Sequence, residues 1–444
     1  MKLAQMEDVH ALPIALPEAV DPEEYIVATY LMQYPPNIDM RQMGQALAVE
    51  QSTGTWTPVP GETAEVRRRH VAKLIGMWEV PDRAWDVPAD LPERHYIVQI
   101  AFPEVNIGPQ IPMLFTAVIG NISLFGKVKL LELRFPEKFV AGFKGPKFGI
   151  EGMRKVLNVP KRPLINIMIK PCTGWTAEWG QGAFRAVALG GVDVIKDDEL
   201  IANASFNTVE ERVKLIMRAE KQVYEERGEH TLYAVNVSDE IPKVFENARR
   251  AIGAGANCLM VNYLAVGFPI LRALAEDPDI QVPILGHMDV AGVYYASPDH
   301  GISASLILGK LARLAGADMV VYPYHRGKVA LTRDQCVHVG RNLTFPFYNI
   351  RPSWPMPSGG IYPYLVPQIV EDFGMDVMIG AGGGVHAHPL GATAGGKAFR
   401  AAADAVAEGR SLEEAAKDNE ELRVALDTWR DPFKDIAYAS PSKG

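Results

Sequence analysis

The stretch GGVDVIKDDEL, from Gly190 to Leu200, joins a short apolar strand to a cluster of charged side chains. Two glycines precede the apolar run at 192–195, which is typical of a buried strand. Because side chains alternate along a strand, we expect Lys196 and Asp198 to face one side and Asp197 the other. Buried charge needs partners, so the cluster is either a solvated, ion-paired strand end or part of a functional site.

A unit of one apolar strand and one amphipathic helix recurs eight times after residue 143. We predict its strands at residues 163–170, 192–199, 231–238, 258–267, 282–289, 317–325, 353–360 and 376–384. Their nearly continuous apolar runs are typical of parallel strands that are buried on both faces. Eight units are the number that closes a (β/α)8 TIM barrel, and an open doubly wound sheet is the alternative.

The chain before residue 143 mixes strand and helix patterns without strict alternation, which indicates a smaller α+β domain of the ferredoxin-like kind. We predict strands at 25–32, 95–102 and 128–135, and helices at 40–51 and 109–120. The Gly- and Pro-rich segment FKGPKFGIEG joins this domain to the barrel. The predicted organisation is a loose N-terminal arm (1–22), an α+β domain (23–142) and an α/β barrel domain (143–444).

The composition is that of a soluble globular protein, with 48% hydrophobic and 22% charged residues among 444. A net charge of −8 without a basic stripe argues against nucleic acid as a partner. Three unpatterned cysteines (Cys172, Cys258 and Cys336) favour a reducing compartment over a disulfide framework. No secretory signal and no apolar run near the roughly 18 residues of a membrane span are present, so we expect a cytoplasmic protein without a membrane partner.

Polar side chains or glycines follow most of the predicted barrel strands. They are Lys170, Lys196, Asp198, Glu199, His287, Asp289, His325, Arg326, Lys328, Ser358, Gly359, Gly360, Gly382, Gly383 and Gly384. The carboxyl ends of barrel strands form the active-site face, so these residues should converge at one mouth. Asp198 and Glu199 are hard oxygen ligands suited to Mg²⁺, whereas zinc-ligand spacings are missing. Lys196 would join them only if it were modified into an anion.

Glycine runs at 359–360 and 382–384 follow the seventh and eighth predicted strands. Backbone N–H groups approach a phosphate closely where no Cβ intrudes, and the start of the next helix favours an anion. Barrels often bind phosphate at these two strands, so we predict a phosphate site here, with tight turning as the alternative.

The segment VDVIKDDE resembles the activation segment of RuBisCO large subunits. The resemblance extends from EQSTGTWT (50–57) to GGGVHAHPLG (382–391), and GPKFGIEG, IKP (169–171), His287 and SGGI (358–361) stand in the same order. It implies that CO₂ carbamylates Lys196 and that the carbamate binds Mg²⁺ together with Asp198 and Glu199.

The same resemblance implies the other site residues. Catalytic roles fall to Lys170, His287, Lys328 and Asn121. Binding of substrate and its phosphate falls to Glu50, Thr55, Trp56, Ser358, Gly359, Gly360, Gly383 and Gly384. Glu50, Thr55, Trp56 and Asn121 would come from a neighbouring subunit, which implies a homodimer or a multiple of it with shared sites. Arg326 is a further candidate, for a substrate carboxylate.

Three positions depart from the RuBisCO pattern. Met288 and Val321 stand where the family places an arginine and a histidine for its second phosphate, and each change removes a donor to phosphate. Cys172 stands where the family has a second lysine. The chain therefore resembles the form IV RuBisCO-like proteins, which do not fix CO₂, and the implied substrate is a sugar monophosphate.

The sequence of the predicted barrel resembles the methionine-salvage enolase branch of form IV. That branch, however, has a catalytic lysine where this chain has Asn121. RuBisCO also has asparagine there and uses a lysine that matches Lys170. We therefore expect a lyase that decarboxylates a phosphorylated 3-oxo sugar acid through a metal-bound enolate. The alternatives are an enolase or isomerase of sugar monophosphates such as 2,3-diketo-5-methylthiopentyl-1-phosphate, and a non-catalytic regulatory protein. As a base, Lys170 must be neutral, and we expect burial and a nearby cation to lower its pKa.

Overall fold

A computed structural model of the chain describes residues 8–54, 57, 59–83, 85, 87–88, 90–329 and 331–429. The chain divides into two compact units. The first comprises the described residues of Met1–Lys144, Val290–Leu314 and Pro346–Ile350, and the second those of Gly145–Asp289, Ala315–Phe345 and Arg351–Gly444. Residues 290–314 and 346–350, which lie within the predicted barrel domain, thus group with the first unit.

The first unit contains a five-stranded sheet. Its strands are β1 (Tyr25–Tyr34), β2 (Lys73–Glu79), β3 (Arg94–Pro103), β4 (Lys127–Arg134) and β10 (Gly301–Ile302). The order is β10-β4-β1-β3-β2, with β1 antiparallel to both β3 and β4. The three predicted strands are thereby confirmed. Strand β2 was not predicted, because Gly76 interrupts its apolar alternation and the β2–β3 register shifts between Leu74 and Gly76.

Helices of the first unit include both predicted ones. They are α1 (Met40–Glu50), α2 (Ala64–His70), α3 (Ile111–Ile119), α4 (Glu137–Ala141), α11 (Ala291–Tyr295) and α12 (Leu311–Leu314), with a π-helix at Ser305–Lys310 and 3₁₀ turns at Val9–Ala11, Pro17–Ala19, Glu104–Asn106 and Asn121–Leu124. Asp39 caps α1 by accepting hydrogen bonds from two backbone N–H groups of its first turn.

The described part of the N-terminal segment packs against the sheet. Leu12 and Val20 are buried, and Ile14 bridges Leu74 of β2. The Nζ of Lys73 donates to two carbonyl groups of the segment, those of His10 and Leu12. Residues 8–22 are therefore not the loose arm that the sequence suggested.

The second unit is a closed barrel of eight parallel strands. They are β5 (Leu164–Met168), β6 (Val194–Lys196), β7 (Leu232–Asn236), β8 (Cys258–Val261), β9 (Ile284–Gly286), β11 (Met319–Pro323), β12 (Trp354–Ser358) and β13 (Met378–Ala381). Strand β9 pairs with β11 and β13 pairs with β5, which closes the ring. This confirms the predicted (β/α)8 barrel and excludes the open doubly wound sheet.

One or more helices of the second unit follow each of these strands except β9, after which the chain enters the first unit. The helices of the second unit are α5 (Gly149–Leu157), α6 (Ala177–Ala188), α7 (Val209–Arg227), α8 (Lys243–Gly253), α9 (Tyr263–Val266), α10 (Phe268–Glu276), α13 (Arg333–Thr344), α14 (Val366–Phe373), α15 (Gly383–His386), α16 (Ala392–Ala407), α17 (Leu412–Asp418) and α18 (Glu420–Thr428), with a 3₁₀ turn at Pro363–Leu365. Among the described residues, none of these helices is long and apolar enough to cross a membrane.

Apolar side chains fill the inside of the barrel. Leu164, Val194, Met260, Met319 and Trp354, from five different strands, belong to one fully buried cluster. Such layers make a barrel interior a packed core and not a pore, which leaves the chemistry to the strand ends.

Candidate active site

Strands β5 and β6 bring two lysines and two carboxylates together where the strands end. The Nζ of Lys170 lies 2.5 Å from Oδ2 of Asp198, and the Nζ of Lys196 lies 3.3 Å from Oε2 of Glu199. The side chains of Lys196 and Asp198 are 0% and 1% exposed. A solvated strand end would leave these groups in water, so that interpretation is wrong.

Asp197 has a different set of partners, as the alternation along the strand predicted. Its carboxylate accepts hydrogen bonds from the Arg212 guanidinium, from the Tyr233 hydroxyl and from the backbone N–H of Asn236. All of these groups are buried. Asp197 therefore fixes the end of β6 against α7 and β7, while Lys196 pairs with Glu199 and Asp198 pairs with Lys170.

Three side chains besides Lys196 contact Glu199. The Nε2 of His287 lies 3.2 Å from its Oε2, and the side-chain amides of Asn236 and Asn262 donate to its backbone carbonyl at 3.3 and 3.2 Å. The sequence reasoning missed both asparagines. Each ends an apolar strand run, AVN or MVN, which is the signal that identified the other strand-end residues.

Burial and charge set the pKa values of this cluster. Burial lowers the pKa of Lys196, although Glu199 and Asp198 oppose the shift. Burial alone would raise the pKa of Glu199, but the hydrogen bond from His287 and the charge of Lys196 hold it well below its usual value. Burial and then Lys196 lower the pKa of His287, so its imidazole is neutral near pH 7.

The pKa of Lys170 is shifted in the direction opposite to the one expected from the sequence. Burial lowers its pKa, but the hydrogen bonds to Asp198 and to the Cys172 sulfur, 3.1 Å away, raise it by more, and the pKa lies above the ordinary value. The predicted lowering of the pKa of Lys170 is therefore wrong, because a carboxylate and not a cation is the charged group in contact with Lys170. Binding of a cation by Asp198 would remove that partner.

The cluster suits Mg²⁺ once Lys196 is carbamylated. Among the described residues, no group of three or more His, Cys, Asp or Glu side chains is arranged to hold a metal, whereas a carbamate on Lys196 would add an oxygen ligand beside Asp198 and Glu199. Lys170 and Lys196 carry +2 and the two carboxylates −2; a carbamate would change Lys196 from +1 to −1, and the sum from 0 to −2. A divalent cation balances that charge.

Orphaned polar atoms next to Glu199 agree with this fit. His287 and Asn262 each hold Glu199 through one atom, while the buried Nδ1 of His287 and Oδ1 of Asn262 have no hydrogen-bond partner among the described residues. Buried polar atoms are rarely left unpaired in native proteins, so unpaired acceptors here are typical of a site that receives another group.

The predicted phosphate glycines lie at the ends of β12 and β13. Gly359 and Gly360 have φ values of +94° and +85°, which favour glycine. A Cβ on Gly384 would lie 2.7 Å from the carbonyl oxygen of Ile361, so no larger residue fits there. A Cβ on Gly382 would lie 3.4 Å from Cε of Lys170, which places the start of this glycine run beside Lys170.

Lys328 and Arg326 lie in the loop that follows β11, and both are exposed. The backbone N–H of Lys328 donates to the carbonyl of Gly359 at 2.8 Å. A Cβ on Gly327 would lie 2.2 Å from the same oxygen. The loop backbone therefore rests directly on one of the predicted phosphate glycines.

Apolar packing surrounds the two substituted phosphate positions. Val321 is fully buried in the barrel core cluster, and Met288 packs against that cluster. Neither side chain can donate a hydrogen bond, so neither side chain can bind a phosphate in the way an arginine or a histidine would.

The remaining predicted residues belong to the first unit or lie outside the described residues. The side-chain amide of Asn121 is 3.5 Å from Oε1 of Glu50, so these two residues are neighbours. Thr55 and Trp56 lie outside the described residues.

Two protein-family models match the chain. Residues 18–139 match the N-terminal domain of the ribulose bisphosphate carboxylase large chain, and residues 149–429 match its catalytic domain. A ribulose bisphosphate carboxylase-like protein of Archaeoglobus fulgidus is 56% identical over 429 residues, which cover 96% of this chain and 98% of the relative.

The chain is also similar to a named enzyme and to a protein of known crystal structure. A 2,3-diketo-5-methylthiopentyl-1-phosphate enolase of Geobacillus kaustophilus is 40% identical, covering 91% of this chain and 98% of its own. The crystal structure of a RuBisCO-like protein from Alicyclobacillus acidocaldarius superimposes with a TM-score of 0.85 at 38% identity, covering 91% of this chain and 100% of that one.

Proposed function

The chain belongs to the ribulose bisphosphate carboxylase large-chain family, and from this premise we propose that it is a RuBisCO-like enzyme of enolate chemistry on a monophosphorylated keto compound. The observation that carries the proposal is the cluster of Lys170, Lys196, Asp198 and Glu199, in which Lys196 and Asp198 are buried and Lys170 lies beside Gly382 at the end of β13. A scaffold without turnover would have no need to bury a lysine and a carboxylate side by side at this cost.

Mg²⁺ would be held by three ligands, namely the carbamate of Lys196 and the carboxylates of Asp198 and Glu199. When it is bound, Mg²⁺ polarises a substrate carbonyl. The carbamate forms when the neutral amine of Lys196 attacks CO₂ and releases one proton. Burial of Lys196 favours that neutral form. His287 and Asn262 keep Glu199 in place through their contacts with it.

Lys170 is the group that moves a proton at the substrate carbon. Its Nζ lies within contact of Asp198, so it stands next to the proposed ligands. Lys328 supplies a second cation for the enolate, and Asn121 of a neighbouring subunit would hydrogen-bond the substrate. One phosphate would be bound by the hydroxyl group of Ser358 and by the backbone N–H groups of Gly359, Gly360, Gly383 and Gly384. Arg326 would pair with a substrate carboxylate.

Enolisation of a phosphorylated ketone is the first reaction to test, because a relative covering 91% of this chain is named as an enolase of 2,3-diketo-5-methylthiopentyl-1-phosphate. Decarboxylation of a phosphorylated 3-oxo sugar acid is the second candidate. Asn121 favours it, since loss of CO₂ also yields an enolate but requires no base to remove a proton from carbon.

One pair of assays separates the two reactions. The protein is first incubated with Mg²⁺ and CO₂. Deuterium uptake next to the carbonyl of the diketone phosphate is then followed by NMR in D₂O, and CO₂ release from 3-oxo sugar acid phosphates is measured in parallel. Uptake without CO₂ release assigns enolisation, and release assigns decarboxylation. Neither signal from any phosphorylated ketone or 3-oxo acid would contradict the proposed function.

Carboxylation of ribulose bisphosphate should not occur. Its second phosphate would meet Met288 and Val321, and two lost charge-assisted hydrogen bonds, each worth roughly 1.5–3 kcal/mol, weaken binding about a hundredfold or more. Labelled bicarbonate should therefore give no labelled phosphoglycerate, and calorimetry should show a sugar monophosphate binding more tightly than the bisphosphate. Enzymatic incorporation of label would refute the one-phosphate site.

Subunits that share active sites should complement each other. Thr55 is proposed to act in the active site of the neighbouring subunit. The Thr55→Ala and Lys196→Ala proteins should therefore each be inactive. A mixture of the two that exchanges subunits should recover up to about a quarter of wild-type activity as hybrid dimers form. Subunit exchange is followed by native mass spectrometry. Exchange without any recovery would rule out the shared site.

A further inference from the structure

Asp372 of α14 binds three side chains at the two ends of the loop between β11 and α13. Its Oδ2 accepts hydrogen bonds from the Tyr324 hydroxyl at 2.8 Å and from Nε2 of His325 at 2.9 Å. Its Oδ1 accepts from Nε and Nη2 of Arg333 at 2.9 and 2.7 Å. The Asp372 side chain is 0% exposed and that of His325 is 13% exposed, so the bonds to Oδ2 are largely shielded from water, whereas the Arg333 side chain is exposed.

The three donors stand at the two ends of the loop. Tyr324 and His325 directly follow β11, whereas Arg333 is the first residue of α13. One carboxylate therefore ties both ends of the loop to α14. The span between them includes Lys328, whose backbone N–H donates to Gly359, the residue at the end of β12.

We propose that Asp372 and His325 are positioning residues that hold this loop, and with it Lys328, against the phosphate glycines. The inference rests on the proposed function, which places Lys328 and Gly359 at the substrate. The partners of Asp372 are Tyr324, His325 and Arg333, none of which is a proposed metal ligand or phosphate-binding residue. It acts through the backbone of the loop, because 326–332 is a short span whose ends it fixes.

Hydrogen exchange tests the positioning without any reaction. In Asp372→Asn, the amides of residues 326–332 should exchange roughly tenfold faster than in the wild type, because the neutral amide loses the ion pairs with Arg333 and weakens the other bonds. Glu371→Gln, one residue away on α14, is the matched control and should exchange like the wild type. Unchanged exchange in Asp372→Asn would overturn the proposal whether or not an activity has been found.

Kinetics test whether the effect passes through Lys328. Asp372→Asn should lower kcat/KM at least about tenfold, since small displacements of a catalytic group are costly. In a Lys328→Ala background the same change should lower it no further. Two independent, additive losses would show that Asp372 supports the fold alone and would contradict a positioning role.

His325 provides a second variant should Asp372→Asn not fold. His325→Ala leaves the Arg333 pair intact and should reproduce the faster exchange, whereas His325→Gln keeps an N–H donor and should restore slow exchange and kcat/KM. Failure of His325→Gln to restore either would sink the assignment of His325. If the wild type acts on none of the phosphorylated ketones, the proposed function fails, while the exchange measurements still decide the positioning.

Discussion

Replacing Lys196 with alanine should abolish the activity, with a loss of at least about a thousandfold in kcat, since a carbamate ligand for the metal would disappear. The lysine is fully buried and contacts Glu199, and no group of three His, Cys, Asp or Glu side chains among the described residues offers a substitute site. Wild-type protein should likewise need incubation with both Mg²⁺ and CO₂ before it turns over.

A second variant guards against loss of fold. Lys196→Met fills nearly the same volume without an amine, and its thermal unfolding should remain within a few degrees of the wild type. It should be as inactive as Lys196→Ala, and it should bind no Mg²⁺ in response to CO₂. Full activity in either variant would refute the carbamate.

Lys170→Met should lower kcat by about a hundredfold to ten-thousandfold, which is the usual range for loss of a group that transfers a proton. Lys170 is partly buried beside Asp198, so it is placed for this role once a metal occupies its partner. Because Lys170 is not a proposed ligand, Mg²⁺ and CO₂ binding should persist in the variant, whereas both are lost with Lys196.

Lys161→Met is the matched control for Lys170, since Lys161 is an exposed lysine shortly before the amino end of the same strand. It should behave as the wild type in activity and unfolding. An unchanged kcat in Lys170→Met would show that Lys170 does not transfer a proton in the reaction. That result would concern Lys170 alone and not the proposed metal ligands.

Most of the barrel could be predicted from sequence because each parallel strand is a short apolar run with a polar or glycine residue at its end. That pattern located β6 and placed Lys196 and Asp198 on one side of it, apart from Asp197. The motif resemblance then assigned roles to those positions, which composition and periodicity alone leave open.

Other features depend on contacts between distant residues and were beyond sequence reasoning. The raised pKa of Lys170 follows from Asp198, which is 28 positions further along the chain. The Asp372 anchor joins residues 47 and 48 positions apart, and nothing in VEDFG distinguishes that aspartate from a solvated one. Strand β2 was hidden because its glycine and its register shift break the alternation on which the prediction depends.

The most direct test of the account is an NMR spectrum of the protein after incubation with isotope-labelled CO₂ and Mg²⁺. The account predicts a labelled carbamate carbonyl signal in the wild type and in Lys170→Met, stabilised by Mg²⁺, and its absence in Lys196→Met. A wild type that is active but shows no carbamate signal, or a signal that persists in Lys196→Met, would contradict the claim that Lys196 is the metal-binding carbamate.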